Sequence, residues 1–334
     1  MTLQPAEVAL SADLPLPVTV LGLGWVGAAM VARLLDQAAP LEINVRVPSA
    51  SHLGAWLDLA DAAVLRRGHR LLLNDEAAWR RAAVVFHCAG AANPTGVSRH
   101  SVAEHNLALT GEVFAGGGFA APPWVIVIAN PVDLVAGLLT RLPGLDPARV
   151  IGTGTYLDTI RMQREIAVAL NRAPAEVEAW VLGEHGEAQV PVWSRIRVAG
   201  LPATDLLDAA ARDGLARLTR EAAWRIRGTQ PGTWWGVTAC AAEIFAALRG
   251  GPLLRRPLGL PIAGAWAERL GHAGLVLSLP AEVDAAGCRL IQDFRLEPGE
   301  EAALRAAAAV LAGAEASTLG RAGPHQGTEV RLIP

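Results

Sequence analysis

The sequence predicts an α/β protein: a doubly wound parallel sheet in its first half, joined to a second domain of α+β character. Three observations carry this prediction. Short, continuously apolar runs, VTVLGLG, LEINVRV, AAVVFHCAG and WVIVIANP, recur between segments of helical spacing, as strands buried on both faces do. The first run ends in Gly22-x-Gly24-x-x-Gly27, a tight turn that leads into a helix. Beyond about residue 155 the pattern changes to long Ala/Leu/Arg helices interrupted by strands such as RLIQDFRLEP.

Taken in chain order, residues 1–15 read as a tail and VTVLGLG as the first strand. WVGAAMVARLLDQ follows as a helix, with Val26, Met30, Ala32 and Leu35 at helical spacing, and LEINVRV comes within the span of one βαβ unit. The two later apolar runs repeat the theme. At the other end, the stretch from Pro298 to Gly313 reads as a terminal amphipathic helix, because its acidic residues come first and its glycine last. This reading gives a first domain over 16–153 and a second over 154–334, with a helix near 233–249 expected to pack at their interface. No internal repeat is visible.

Composition excludes several classes of function. A chain of 334 residues that is 52% apolar and 18% charged buries a large core, and two domains suit that length better than one. A net charge of -3 offers no basic face for nucleic acid, so a small-molecule partner is expected. All 29 basic residues are arginines, so Schiff-base, pyridoxal-phosphate and Walker A lysines are excluded. Cys88, Cys240 and Cys288 are widely separated and odd in number, which suggests neither disulfides nor a metal site and fits a reducing cytoplasm. Neither a signal peptide nor a run of about 18 apolar residues is evident, so no membrane segment is expected.

The glycine turn, set between strand and helix, lets a backbone approach a pyrophosphate at a helix N-terminus, which makes the sheet Rossmann-type; a plain tight turn is the alternative. Residues 89–106, AGAANPTGVSRHSVAEHN, form a strand end, a Gly/Pro loop and a helix start. Arg99 at the end of that loop is either a solvated charge or an arginine that swings onto a bound anion. Asn130 lies at the C-terminal end of a buried strand, the sheet edge where ligands bind. Asp158 and Arg161 share one helical face as either a surface pair or a site. His185 sits in the Gly-rich turn GEHGEAQVPVWS, either structural or facing a cleft.

Taken together these segments resemble the lactate/malate dehydrogenase family, of the L-2-hydroxy acid dehydrogenase type, from about Val18 to the last helix. The order matches: glycine fingerprint, loop arginine, ANPVD, LDTIR, GEHG, then TWWGV. The resemblance implies an enzyme moving a hydride between NAD or NADP and a small 2-oxo acid, assembled as a homodimer or homotetramer. It makes His185 the acid/base, Asp158 its orienting carboxylate and Arg161 the clamp for the substrate carboxylate. It further implies that Arg99 polarises the substrate carbonyl, that Gly90 and Asn130 lie beside the cofactor, and that Thr233 lines the substrate pocket. A planar carboxylate suits a bidentate arginine, and charge developing on the carbonyl oxygen suits Arg99 and a protonated His185.

Two positions depart from the family. Asn93 stands where lactate-type members carry glutamine and malate-type members arginine, and the NPTG stretch is similar to that of 2-hydroxyisocaproate dehydrogenases; a substrate with an uncharged, larger side chain is therefore expected. Arg46 stands where the NAD enzymes place an aspartate, with Ser49 and Ser51 nearby, so binding or preference of NADP(H) is expected, unless Arg46 merely caps the strand end. Rival readings are malate dehydrogenase activity, an imine or opine-type reductase, and a non-catalytic member that keeps the fold.

Overall fold

The structure, a computed structural model, describes residues 15–47, 52–66, 68–91 and 99–319. The expected N-terminal tail lies outside these residues, apart from Pro15. The first half alternates strand and helix: β1 (Leu16–Leu21), α1 (Trp25–Leu35), β2 (Leu41–Arg46), α2 (Leu53–Val64), β3 (Arg70–Leu73), α3 (Glu76–Arg80), β4 (Val84–His87), α4 (Arg99–Ala115), β5 (Trp124–Val127), α5 (Val132–Leu139) and β6 (Val150–Gly152). All six strands are parallel, in the order β3-β2-β1-β4-β5-β6. The order reverses beside β1, and the crevice at such a reversal is where open α/β sheets take their ligands.

The runs form strands because they are buried on both sides. Val20, Ile43, Val45, Val85 and Phe86 have no measurable exposure, and each such side chain contributes roughly 1.5–3 kcal/mol by leaving water. Helix α1 covers one face with Met30, Val31, Leu34 and Leu35. Ala32, expected on that face, is exposed instead.

The second half begins with α6 (Tyr156–Ala169), β7 (Val177–Glu178), β8 (Val181–Gly183), β9 (Gln189–Pro191), β10 (Arg197–Val198) and β11 (Leu201–Pro202). It continues through α7 (Ala203–Leu206), α8 (Ala209–Arg227), α9 (Trp235–Leu248), β12 (Leu254–Pro261), α10 (Ala265–Leu270), β13 (Val276–Asp284), β14 (Gly287–Leu290) and α11 (Pro298–Leu319). β12, β13, β8 and β9 extend the parallel sheet in antiparallel fashion from β6, while β11, β10 and β7 form a small separate sheet. Of RLIQDFRLEP only the first two residues are strand, and the last helix runs through Gly313 to Leu319.

Helix α9 lies against α1. The Arg33 guanidinium donates to Thr238 Oγ1 at 2.9 Å and to the Trp235 carbonyl at 3.0 Å, and the rings of Trp25 and Trp234 stack with centroids 5.1 Å apart. The segment that precedes α9 is thereby fixed to the helix that begins at the glycine turn.

Candidate active site

The glycine turn is shaped by contact with its own strand neighbours. Gly22 has φ +91°, and a Cβ there would come within 2.7 Å of the Ala89 backbone. At Gly27 a Cβ would meet the Gly22 carbonyl oxygen at 1.9 Å, so strand and helix approach this closely only with glycine. A Cβ on Gly24, by contrast, would meet nothing within 4 Å. Gly24 is the N-cap of α1 and no side chain caps it. The first-turn N–H groups, the positive end of the helix and this open space together fit the pyrophosphate of a dinucleotide. Asn130, exposed just beyond β5, and Gly90, just beyond β4, stand at the same carboxyl edge of the sheet.

Across that edge, α6 and the turn after β8 bring three predicted residues together. His185 Nδ1 lies 2.6 Å from Asp158 Oδ2, and Arg161 donates to Asp158 Oδ1 at 3.1 Å. Asp158 and Arg161 are one turn apart on α6 and almost fully buried, whereas the His185 side chain keeps 23% exposure. The pair is therefore no solvated surface bridge. Burial opposes a charge on His185, but Asp158 outweighs burial and raises the imidazole above its ordinary range. Burial likewise works against an ionised Asp158, yet His185 and Arg161 hold it below the usual carboxylate range. The result is an imidazole whose protonated form is favoured, held by Asp158 on one side and partly exposed.

Arg161 also lines an open cleft of about 340 Å³ whose walls include Leu157, Ile160, Thr233, Trp234 and Trp235. Thr233 is thus placed in the same cleft as the arginine. Arg164, also at the cleft, is paired with Glu165. Arg99 opens α4, but its side chain, like Asn93, Ser49 and Ser51, lies outside the described residues.

Arg46 is the residue whose surroundings differ from expectation. It does stand at the end of β2, its carbonyl accepting the Gly22 N–H at 2.8 Å. Its guanidinium, however, is turned inward: it pairs with Glu76 on α3 at 2.8 Å, lies 4.6 Å over the Trp79 ring and is 9% exposed. Held this way the guanidinium is engaged by Glu76 and Trp79 rather than left free, while its Nε is buried with no hydrogen-bond partner among the described residues.

Two contributors escaped the motif reading. Asp133, in the first turn of α5, accepts the main-chain N–H of His185 at 2.9 Å. Asn106 on α4 binds both the loop entry, accepting from Ala91 N–H at 2.7 Å, and the sheet edge, donating to the Asn130 carbonyl at 2.7 Å. The D of ANPVD was the one sequence signal for the first, and Asn106 stood at the end of the 89–106 stretch with no role assigned to it.

Comparison with known proteins agrees with this geometry. Residues 16–152 match the family model described as lactate/malate dehydrogenase, NAD binding domain, and residues 155–226 match the alpha/beta C-terminal domain of the same family. An L-lactate dehydrogenase of Nitratidesulfovibrio vulgaris (strain DP4) is 30% identical over 307 residues, 88% of this chain and 97% of that protein. Among solved structures, the ligand-bound minor L-lactate dehydrogenase of Enterococcus mundtii superposes with a TM-score of 0.81 at 26% identity, over 91% of this chain and 98% of the other. The malate dehydrogenase of Salinibacter ruber gives a TM-score of 0.79 at 25% identity, over 91% and 97% of the two chains.

Proposed function

The chain belongs to the lactate/malate dehydrogenase family, and from that premise we propose that the Asp158–His185–Arg161 group serves an NAD-dependent L-2-hydroxy acid dehydrogenase. The observation that carries this is the 2.6 Å contact between His185 and Asp158 beside a buried arginine. When bound, the cofactor supplies or accepts the hydride. Arg161 clamps the substrate carboxylate as a planar fork, and His185, kept as imidazolium by Asp158, gives its proton to the carbonyl oxygen as charge develops there. In the oxidative direction His185 takes that proton back. The family resemblance assigns to Arg99, at the start of α4, positive charge at the same oxygen.

The substrate we infer is a 2-oxo acid with an uncharged side chain larger than methyl. Asn93 brings no charge to the loop, and the cleft arginine other than Arg161 is already engaged by Glu165. A second substrate carboxylate would be desolvated without a partner. The inferred cofactor is NAD(H), since Arg46 is occupied by Glu76 and Trp79. Self-association into a dimer or tetramer is supported by α2, which buries no residue and leaves Leu57 and Val64 63% and 78% exposed.

The test is turnover of NADH with pyruvate, 4-methyl-2-oxopentanoate and oxaloacetate, each with and without ammonia. Reduction without ammonia is expected. A strict ammonia requirement would instead identify an imine reductase, and NADH binding with no turnover a non-catalytic member.

A further inference from the structure

The group that faces His185 from outside the Asp158 pair is Asp133. Only 4% of it is exposed, and it reaches His185 through the backbone, 52 positions along the chain. Its Oδ2 accepts the His185 N–H, while Oδ1 is also buried and has no hydrogen-bond partner among the described residues. A carboxyl buried with one oxygen unsatisfied is costly as a merely structural anchor, since an asparagine or serine would serve the same N–H without the charge. The charged groups acting on the imidazole are Asp158 and Arg161 from α6 and Asp133 from α5, while Glu184 from the turn acts on Asp133. Carboxylates dominate this set.

We propose that Asp133 is a second positioning residue of the proton-donor site, fixing the His185 turn through its main-chain N–H and, as a carboxylate, favouring the imidazolium. The inference deepens the reading of His185 as the proton donor and rests on it. Burial pushes the Asp133 carboxyl up to about 7, against the pull of His185. Asp133 therefore changes charge in the range where the site works. As pH rises through that range the carboxylate forms, and the imidazolium opposite it persists to higher pH than Asp158 alone would allow. The helix N-terminus around Asp133 favours the same ionised form.

The test follows the His185 ring by NMR in the cofactor-free protein with carbon-13-labelled histidine, the signal being assigned by its loss in His185→Gln. Wild type should titrate in two steps, one of them reporting Asp133. Asp133→Asn keeps an oxygen for the His185 N–H and removes the charge, so the ring should titrate in one step displaced to lower pH. In the same variant, the ratio of 2-oxo acid reduction at about pH 8 to that at about pH 6 should fall roughly threefold or more. A purely structural anchor would leave that ratio and the titration unmoved. An Asp133→Asn titration equal to wild type, or a single step in wild type, overturns the proposal. If Asp133→Asn does not fold, the wild-type titration decides alone. Because the NMR experiment needs neither substrate nor cofactor, a lack of reductase activity would count against the dehydrogenase reading without touching this result.

Discussion

At the scale of the residue, the proposed roles of His185 and Asp158 tie activity as well as stability to their charge states. With His185 as the proposed proton donor, reduction would use the imidazolium, so its rate should be flat on the acid side and fall as pH rises through the raised His185 value; oxidation should show the opposite limb. The stability signs are opposite for the two partners. The raised His185 contributes stability that is complete below its unfolded value and is lost as pH rises through the folded one. The depressed Asp158 contributes stability present above its unfolded value and lost as pH falls. Measuring kcat/KM in both directions across pH checks the first statement, and parallel limbs would contradict it. Arg46 yields a second prediction at this scale. With its guanidinium on Glu76 and Trp79, wild type should use NADH about tenfold or more better than NADPH, because a 2′-phosphate would have to compete with Glu76 for Arg46. Equal or better kcat/KM with NADPH would show that the side chain leaves Glu76 to meet the phosphate. The position of Arg46 was legible in the sequence and its orientation was not, because Glu76 lies thirty residues further on and becomes its neighbour only once β2 and α3 have packed. Asp133 was hidden for a related reason: its partner is a backbone N–H, and every residue but proline has one.

At the scale of the element, the strands and helix α6, which carries Asp158 and Arg161, were readable because their periodicity and end signals agree. LDTIR puts Asp158 and Arg161 on one face, and the structure buries that face. Where the reading failed, packing overrode a local signal. Gly313 costs about 1 kcal/mol inside a helix, yet α11 runs through it because Ala308 and Leu311 before it and Thr318 beyond it are buried. The end of β4 offers a testable consequence of burial. His87 is fully buried, its Nε2 lies 2.8 Å from Thr110 Oγ1, and the Thr110 hydroxyl donates to the Asn106 carbonyl at 2.7 Å, so this chain links β4 to the helix that carries the loop. Burial pushes His87 down to about 3, and the folded protein holds it neutral while the unfolded chain protonates it below about 6.5. Stability should therefore fall as pH drops from about 6.5 towards 3, with a contribution of up to about 1.4 kcal/mol per pH unit from this group. Urea unfolding of wild type and His87→Gln at about pH 6 and pH 4 measures it. The variant should show the flatter dependence, and identical slopes would mean that His87 does not stay neutral.

At the scale of the whole molecule, one sheet carries the glycine turn at β1, the Asn130 edge at β5 and, beyond β6, the strand that leads into the His185 turn. The glycine turn and the His185 turn, proposed to hold the hydride donor and the proton donor, are thereby carried by one sheet, with the segment 233–235 tied to α1 through Trp25 and Arg33. Substrate choice belongs to this scale, since it joins the loop, the cleft and Arg161. Wild type should reduce 4-methyl-2-oxopentanoate with higher kcat/KM than oxaloacetate, and Asn93→Arg should shift the ratio towards oxaloacetate by about tenfold or more, the scale of one well-placed charge pair. A wild type that prefers oxaloacetate would contradict the inferred pocket. The most direct test of the central claim is isotope transfer: NADH carrying deuterium at the transferable position is incubated with 4-methyl-2-oxopentanoate and wild type or His185→Ala, and the product is weighed by mass spectrometry. The hydroxy acid should carry one deuterium on carbon 2, formed about a hundredfold or more slower by His185→Ala. Product without deuterium, or a variant as fast as wild type, would contradict it.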